Sequence, residues 1–407
     1  VLTLDTYDLK GKRVFCRVDL NSPMDENGKI LPSERLKAHA KTITELSEKG
    51  ARVILLAHQG KKGDPDFTSL APHALLLEKE TGKKIQFVQD VCGGKAKAAI
   101  EKLKDGDILL LENVRYMDDE TSMDDETSYK TEEDYRKSAL VSNLLPYCDF
   151  FVLDSLSVSH RPHASVIGFS SKPVIAGRVM ERELNALKMV KAPKKPVVFI
   201  LGGAKPEDSI GIMGHWLSEG KMDKALACGV LGTLFLAAKG YDLGSSTMDY
   251  LKESKAIGSL PKAKELLKNY GDKIEIPVDI AFGLDGKRKE ISVEQLPAPS
   301  SIMDIGKKTA ENYSSLILKA GTVIINGPAG VYEKEQFSYG TKTILKAIEK
   351  SSAFSLAGGG HTISAIEKFG IDKSKISYIS LAGKALIEYL SGEELPGIAI
   401  LEKRNIN

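Results

Sequence analysis

The sequence predicts an α/β protein of two Rossmann-like domains, each a parallel sheet flanked by helices, joined by a hinge helix. Three observations lead there. The chain has 407 residues, more than one hydrophobic core usually serves, so two domains of roughly 200 residues are expected. Near-continuous apolar runs of strand length recur along it, and most alternate with amphipathic helical stretches. Strands apolar throughout, separated by helices, imply parallel sheets covered on both faces, and the pattern runs through both halves.

In chain order, the first half offers RVFCRVD (13–19), ARVILLAHQG (51–60), GDILLLENVR (106–115) and DFFVLDS (149–155). The second offers PVVFILGG (196–203), EIPVDIAF (275–282) and GTVIINGPAG (321–330). FSLAGGGHTISAIEKFG (354–370) then passes through three glycines into a helix that Gly370 can end. Between the halves, GRVMERELNALKMVKAPKKP (177–196) reads as a charged helix followed by a Pro/Lys-rich break. The expected organisation is a domain over 1–176, a hinge helix and linker over 177–195, and a second domain over 196–385. Residues 386–407 are too few for a domain and are expected to pack back on the first. MDDETSMDDETSYKTEEDYRKS (117–138) holds a hexapeptide duplication and a dense acidic run, which reads as a solvated surface loop and the start of a helix.

Composition narrows the function. Lys and Arg number 57 against 55 Asp and Glu, a formal charge of +2, so nothing favours a nucleic-acid or membrane partner and any strong positive field must be local. Cys16, Cys92, Cys148 and Cys228 lie far apart without a CxxC pair, which argues against a zinc site or a disulfide framework and suits a reducing cytoplasm. No signal pattern or membrane-length apolar run is evident, although the sequence begins at Val1. A soluble, cytoplasmic protein is expected.

Ligands of open parallel sheets collect beyond the carboxyl ends of the strands. In the first half that rule gathers Asp19 and Asn21, His58 and Lys61, Arg115, and His160, Arg161 and His163, with Arg35 in a following helix start. Such cations and hydrogen-bonding groups suit a small anion bearing phosphate and carboxylate; the competing reading is a set of scattered surface salt bridges. HRPH lacks further ligands at metal spacing. In the second half the rule gathers Gly202, Gly203 and Lys205, then Asn326 and Glu333, then Gly358, Gly359 and Gly360 with His361 and Thr362. Glycine turns of this kind offer main-chain amides to phosphates, and a helix start adds favourable potential. Neither GxxxxGK[ST] nor a GxGxxG after a strand occurs, which disfavours a Walker-type ATPase and a dinucleotide-dependent dehydrogenase.

RVDLNSP, LLLENVRY, SHRPHAS, ILGGAKPEDSI, IMDIG, INGPAGVYE and AGGGHT occur in this order over nearly the whole chain. Together they resemble phosphoglycerate kinase, and AHQGKKGDPDFTSL, the Ser in AKPEDS and the His in GGGHT resemble its archaeal branch. The resemblance implies reversible phosphoryl transfer between ATP and the carboxylate of 3-phosphoglycerate, with Mg2+ accompanying ATP or ADP. It implies that Asp19 and Asn21 bind the glycerate hydroxyl, that His58, Lys61, Arg115 and Arg161 hold the non-transferring phosphate, and that Arg35 lies beside the reacting carboxylate. It further implies that Lys205 meets the moving phosphoryl group, Glu333 the ribose, and Gly203, Asn326, Gly358, Gly359, Gly360, His361 and Thr362 the nucleotide. Closure of the two domains would bring the substrates together, and no general base is needed because a carboxylate is already anionic. A monomer is expected, with a dimer as the alternative.

The chain also departs from the family pattern. Ser209 stands where most members have Lys, and His361 where many have an Asp that helps hold magnesium, so the metal ligands stay open. SLAGKALIEYL (380–390) replaces a glycine-rich STGGGA, placing Lys384 where glycine is expected; the reading here is that Lys384 supplies charge to a phosphate, against the alternative that it points to solvent. CGVLGTLF (228–235) departs from the usual glycine pair beside the nucleotide. A silent homologue that only binds, or a phosphotransferase for another small acid, are the competing functions.

Overall fold

The computed structural model describes residues 1–121 and 132–403. Its backbone divides into two compact units, Val1–Asn185 with Glu394–Asn407, and Ala186–Glu393. The chain leaves the first unit inside the helix Arg178–Lys191 and re-enters it at Glu394, where the sequence places these changes at 177, 196 and 386.

The first unit is built on six parallel strands, β1 (Arg13–Arg17), β2 (Arg52–Leu56), β3 (Ile85–Phe87), β4 (Ile108–Leu110), β5 (Phe150–Leu153) and β6 (Val174–Ala176), in the order β3-β4-β2-β1-β5-β6. Central β1 pairs Arg17 with Leu56 on one side and with Leu153 on the other. The strands are apolar because both faces are covered, and Val14, Cys16, Val53, Leu55 and Val152 share one buried cluster with Ile43 and Leu46. Those last two lie on the helix Glu34–Glu48, which Ser33 caps by accepting the Leu36 N–H at 3.3 Å. The chain builds outward from β1 through β2, then returns to add β5 on its other side. The crevice at the carboxyl end of β1 is therefore a switch point. The tail helix Pro396–Glu402 belongs to this unit, with Gly397 N–H donating to the Ser159 carbonyl at 2.9 Å.

The second unit carries two sheets. β7 (Val197–Leu201), β8 (Lys224–Ala227), β9 (Ile274–Glu275), β13 (Thr322–Asn326), β14 (Phe354–Gly358) and β15 (Tyr378–Ile379) are parallel, in the order β15-β14-β13-β7-β8-β9. β10 (Asp279–Leu284), β11 (Lys287–Ser292) and β12 (Ile302–Ile305) form an antiparallel sheet of order β11-β10-β12. The run EIPVDIAF, read as one strand of a parallel sheet, is in fact divided between the two. Pro277 has no N–H to give a ladder, and the next amide, Val278, donates to Thr309 Oγ1 at 3.0 Å instead. The β10–β11 hairpin turns at Asp285 (φ 51°) and Gly286 (φ 72°), the positive pair that a two-residue hairpin loop favours. The helix expected after AGGG is present as Gly360–Lys368, with Gly370 at φ 59° beyond its end. Helix Lys384–Leu390 packs within this unit, where Trp216 Nε1 donates to the Leu390 carbonyl at 2.7 Å.

The acidic stretch meets its reading as a solvated loop and helix start only in part: Asp118 is exposed and a helix runs over Glu132–Arg136, but Glu120 lies inside. Residues 122–131, which hold the whole second hexapeptide copy and the last residue of the first, lie outside the described residues. In the first copy Glu120 is fully buried, and Tyr135 further on is buried as well. The reason for Glu120 lies in the charge it faces.

Candidate functional site

Beyond the carboxyl end of β1 the first unit gathers charge inside the protein. Arg17, the last residue of β1, has 0% exposure. Its Nε donates to Ser165 Oγ at 2.7 Å, Nη2 lies 3.1 Å from His58 Nδ1, and Nη1 donates to the Val18 carbonyl. Ser165 in turn donates through Oγ (2.5 Å) and N–H (2.8 Å) to Glu120. Burial pulls the guanidinium down to about 10, while Glu120 and Asp19 favour its charge, so Arg17 is a cation at neutral pH. Glu120 is the buried counter-charge, which is why an acid from a strongly polar stretch lies out of water. Sequence reading missed both; the available signal was Arg17 standing between Cys16 and Val18 in an apolar run.

His58 is buried, and burial first, then Arg17 and Arg115, hold its imidazolium form well below the usual range. It is therefore neutral at pH 7, a hydrogen-bonding group and not one of the rim's cations. Since Arg17 must donate, Nδ1 accepts and Nε2 carries the proton. Next to it, Gly60 N–H donates to Asn21 Oδ1 at 2.8 Å and the Gly60 carbonyl accepts from Arg115 Nη1 at 2.6 Å. One turn after β2 thus joins Asn21 to Arg115, and Lys61 follows on that turn, exposed. Asp19 is buried: its Oδ2 lies 3.2 Å from Arg35 Nη1 and accepts from Ser157 Oγ at 2.5 Å, and its Oδ1 accepts from Asn21 N–H at 3.0 Å. Burial opposes its ionisation, but Arg35 and Ser157 help to hold the carboxyl well below the usual carboxylate range. Arg161 follows β5, where its Nε lies 3.3 Å from His160 Nε2; His163, buried beside Glu120 at 3.9 Å, adds to the field at His58.

In the second unit the turns after β7, β8 and β13 pack main chain against main chain. Gly202 N–H donates to the Asn326 carbonyl (3.0 Å), Gly203 N–H to Pro328 (2.8 Å) and Gly229 N–H to Ala329 (2.9 Å). A Cβ on Gly202 would fall 2.3 Å from the Pro328 oxygen, and one on Gly327 2.5 Å from the Gly202 carbonyl, so only bare backbone fits. Behind β14, Thr362 is buried and its Oγ1 accepts from Gly327 N–H at 2.8 Å; it braces the turn from within. Lys205 precedes the helix Pro206–Ser218 as its N-cap, and Ser209 is buried inside that helix's first turns. A cavity of about 310 Å3 opens beside these turns, and its lining includes Gly203, Gly229, Pro328, Glu333 and His361 together with Tyr250, Ile280 and Met303. Glu333 and His361 face each other there at 3.5 Å. The amides of Gly202, Gly203 and Gly229 are thus committed to carbonyls, which corrects the expectation that these turns offer them to phosphates; what they leave beside the cavity is bare backbone against which a flat group can pack. Asp304, also on its lining, accepts from Arg288 Nη1 at 2.8 Å and Gly340 N–H at 3.0 Å. Burial nonetheless pushes its carboxyl up to about 6.

Lys384 stands at the start of helix Lys384–Leu390, its side chain 61% exposed and 3.4 Å from Glu388. Its charge and that of Lys205 both act on Asp208, whose carboxyl burial and Glu207 nonetheless raise. Among the described residues no three His, Cys, Asp or Glu side chains gather as a metal cage.

A charged rim beyond the parallel strands of one α/β unit and a cavity beside glycine turns in another are the parts a small-molecule phosphotransferase needs. The phosphoglycerate kinase family profile matches residues 4–393, and the chain belongs to that family. It is 40% identical over 403 residues to phosphoglycerate kinase 1 of Methanosarcina acetivorans, covering 98% of this chain and 95% of the relative. It is 41% identical over 408 residues to the phosphoglycerate kinase of Saccharolobus solfataricus, covering 100% and 98%. The crystal structure of the Pyrococcus horikoshii enzyme superposes with a TM-score of 0.90 at 37% identity over 99% of this chain and 98% of that one. The structure from Coxiella burnetii gives 0.81 at 33%, covering 99% of each. The archaeal likeness read from the motifs agrees with these relatives.

The rim's support predicts a pH effect. Gln59 accepts from Ser22 N–H (2.9 Å), returns a bond to the Ser22 carbonyl (3.0 Å) and meets His73 Nε2 at 3.0 Å, and burial pulls His73 down to about 4. The folded-state value lies below the unfolded one. The stability His73 preserves is therefore complete above about pH 6.5 and is lost as pH falls toward 4, by about 2 kcal/mol at pH 5. Urea denaturation of the His73→Gln variant at pH 7 and pH 5 should show a shallower loss than the unmodified chain; an equal loss would contradict the assignment.

Proposed function

We propose that this chain catalyses the reversible transfer of the γ-phosphoryl group of ATP to the carboxylate of 3-phosphoglycerate. The observation that carries the reading is the knit of Asp19, Asn21, Arg35, His58 and Arg115 around the carboxyl ends of β1 and β2. It is a site for a molecule with a phosphate at one end and a hydroxy acid at the other. Asp19 and Asn21 would take the hydroxyl; Lys61, Arg115 and Arg161, with the proton on His58 Nε2, would take the phosphate that stays. Arg35 would stand by the reacting carboxylate. In the second unit Lys205 would meet the phosphoryl group in transit, Glu333 the ribose, Asn326 with the turn Gly358, Gly359 and Gly360 the nucleotide phosphates, and Gly203 and His361 other parts of the nucleotide, with Thr362 bracing the turn at Gly327.

In the chemistry, a carboxylate oxygen forms a bond to the γ-phosphorus as the bond from that phosphorus to the β,γ-bridging oxygen breaks, and ADP leaves with the electron pair. No proton moves. The protein's share is alignment and charge stabilisation, which requires the two bound substrates to be brought together; the helix Arg178–Lys191 is the natural hinge. Mg2+ is typically held by one or two carboxylates together with phosphate oxygens and water. Asp208, near Lys205, is the carboxylate that would serve; when bound, the metal would neutralise charge on the phosphates. Among the described residues no helix is long and apolar enough to cross a membrane. A monomer working in the cytoplasm is our reading.

Two measurements test it. ATP consumption with Mg2+ should depend on 3-phosphoglycerate and stay near background with other phosphorylated acids. Turnover on a different acid, or binding without turnover, would overturn the assignment. Lys384, whose field reaches Asp208 together with that of Lys205, is proposed to add charge at the phosphates. Lys384→Gly should then raise KM for ATP or lower kcat by up to about tenfold, equivalent to about 1.4 kcal/mol, and unchanged kinetics would reject the role.

A further inference from the structure

The helix Glu34–Glu48 carries Arg35, His39 and Thr42 at i, i+4 and i+7, a spacing that places them along one face. Each makes a polar contact, and the contacts run in order from the acid-binding end of β1 to the start of the helix Arg178–Lys191. Arg35 pairs with the Asp19 carboxylate at 3.2 Å. His39 Nε2 lies 3.3 Å from the Asp19 main-chain N, and His39 Nδ1 2.9 Å from Asp154 Oδ2. Asp154 Oδ1 accepts the N–H groups of Val179 at 2.8 Å and Met180 at 3.3 Å. Thr42 Oγ1 accepts the N–H of Arg178 at 3.0 Å.

The chemistry fixes the direction of every bond. A main-chain amide can only donate, so Nε2 must be the nitrogen with the lone pair. A carboxylate can only accept, so Nδ1 carries the proton. One tautomer satisfies both sides, and no rotation of the ring does so with the nitrogens exchanged. On its far side Asp154 satisfies two of the N–H groups that a helix start leaves unpaired, and its charge suits the helix dipole. The approach is tight, for a Cβ on Gly177 would sit 2.1 Å from Asp154 Oδ1. His39, Thr42 and Asp154 are all buried. Buried polar networks seldom add stability over an apolar core of equal shape, so a role in placing Asp19 accounts for the network better than packing does.

We propose that His39 is a positioning residue that ties Asp19, through Asp154, to the first turn of the helix Arg178–Lys191, so that substrate held at Asp19 firms the start of that helix. The inference depends on the reading of Asp19 as a substrate contact. Because that helix carries the chain from one unit into the other, filling the acid site would alter the connection itself.

Two variants cut the network at different bonds. In His39→Gln the side-chain amide can reach the position of Nε2 and still accept from Asp19, but it releases Asp154. In His39→Asn it can reach the position of Nδ1 and still donate to Asp154, but it releases Asp19. Hydrogen exchange of peptides covering 178–182 is measured with and without 3-phosphoglycerate, alongside calorimetric binding of 3-phosphoglycerate and of ATP. In the unmodified chain, 3-phosphoglycerate should slow exchange at Val179 and Met180 several-fold. Both variants should keep their fold by circular dichroism and their ATP affinity, yet lose that slowing. His39→Asn should also bind 3-phosphoglycerate about threefold to tenfold more weakly, the range of one lost hydrogen bond.

No slowing in the unmodified chain, or slowing that persists in both variants, overturns the proposal. Asp19→Asn separates the two ideas. If that variant loses 3-phosphoglycerate affinity while both His39 variants retain the slowing, the substrate reading stands and the relay fails; if it binds 3-phosphoglycerate normally, the reading of Asp19 fails first.

Discussion

A guanidinium wholly out of water at the end of a central strand sets the terms for the first unit. Arg17 cannot be neutralised at physiological pH, so the fold must supply acceptors and a counter-charge where it lies. Glu120 comes inside to meet that need, and Ser165 bridges the two by accepting from the arginine and donating to the glutamate. The same demand fixes His58, whose Nδ1 must accept from Arg17 and whose other nitrogen must then donate. A neutral imidazole with its N–H at the rim is a better partner for a phosphate oxygen than an uncommitted one. It places a donor without the cost of another buried cation.

The second unit meets a different constraint. Its strand ends lie so close that the turns touch backbone to backbone, and at Gly202 and Gly327 a carbonyl occupies the space a Cβ would need. Amides that pair with the next turn hold the loops rigid, as Gly202 and Gly203 do. A rigid set of turns beside an apolar slot is preorganised for a nucleotide, and such preorganisation is what phosphoryl transfer asks of a protein.

Much of the architecture was legible in the sequence because parallel strands covered on both faces must be apolar throughout, and these are. The rim residues were legible for a related reason: chemistry on such sheets gathers where strands stop, and Asp19, His58 and Arg115 all follow apolar runs closely. What escaped had weaker local signals. The antiparallel sheet was announced only by Asp285-Gly286 and by Pro277, which together break a run that hydrophobicity alone reads as one strand. Glu120 was hidden because its neighbours are acidic and its burial depends on Arg17, more than a hundred positions away. Tyr250 reaches the cavity through tertiary packing, with no motif to mark it. His39 looked like an ordinary helical residue until the partners on both sides of its ring were in view.

The central claim is that the buried and half-buried charges beyond β1 and β2 form a seat for a phosphorylated hydroxy acid. A crystal structure of this chain with 3-phosphoglycerate measures that directly. The account predicts ligand density with its phosphate within hydrogen-bonding distance of His58 Nε2 and Arg115, and its hydroxyl against Asp19. Density elsewhere on the protein, with those three side chains untouched at saturating ligand, would contradict it.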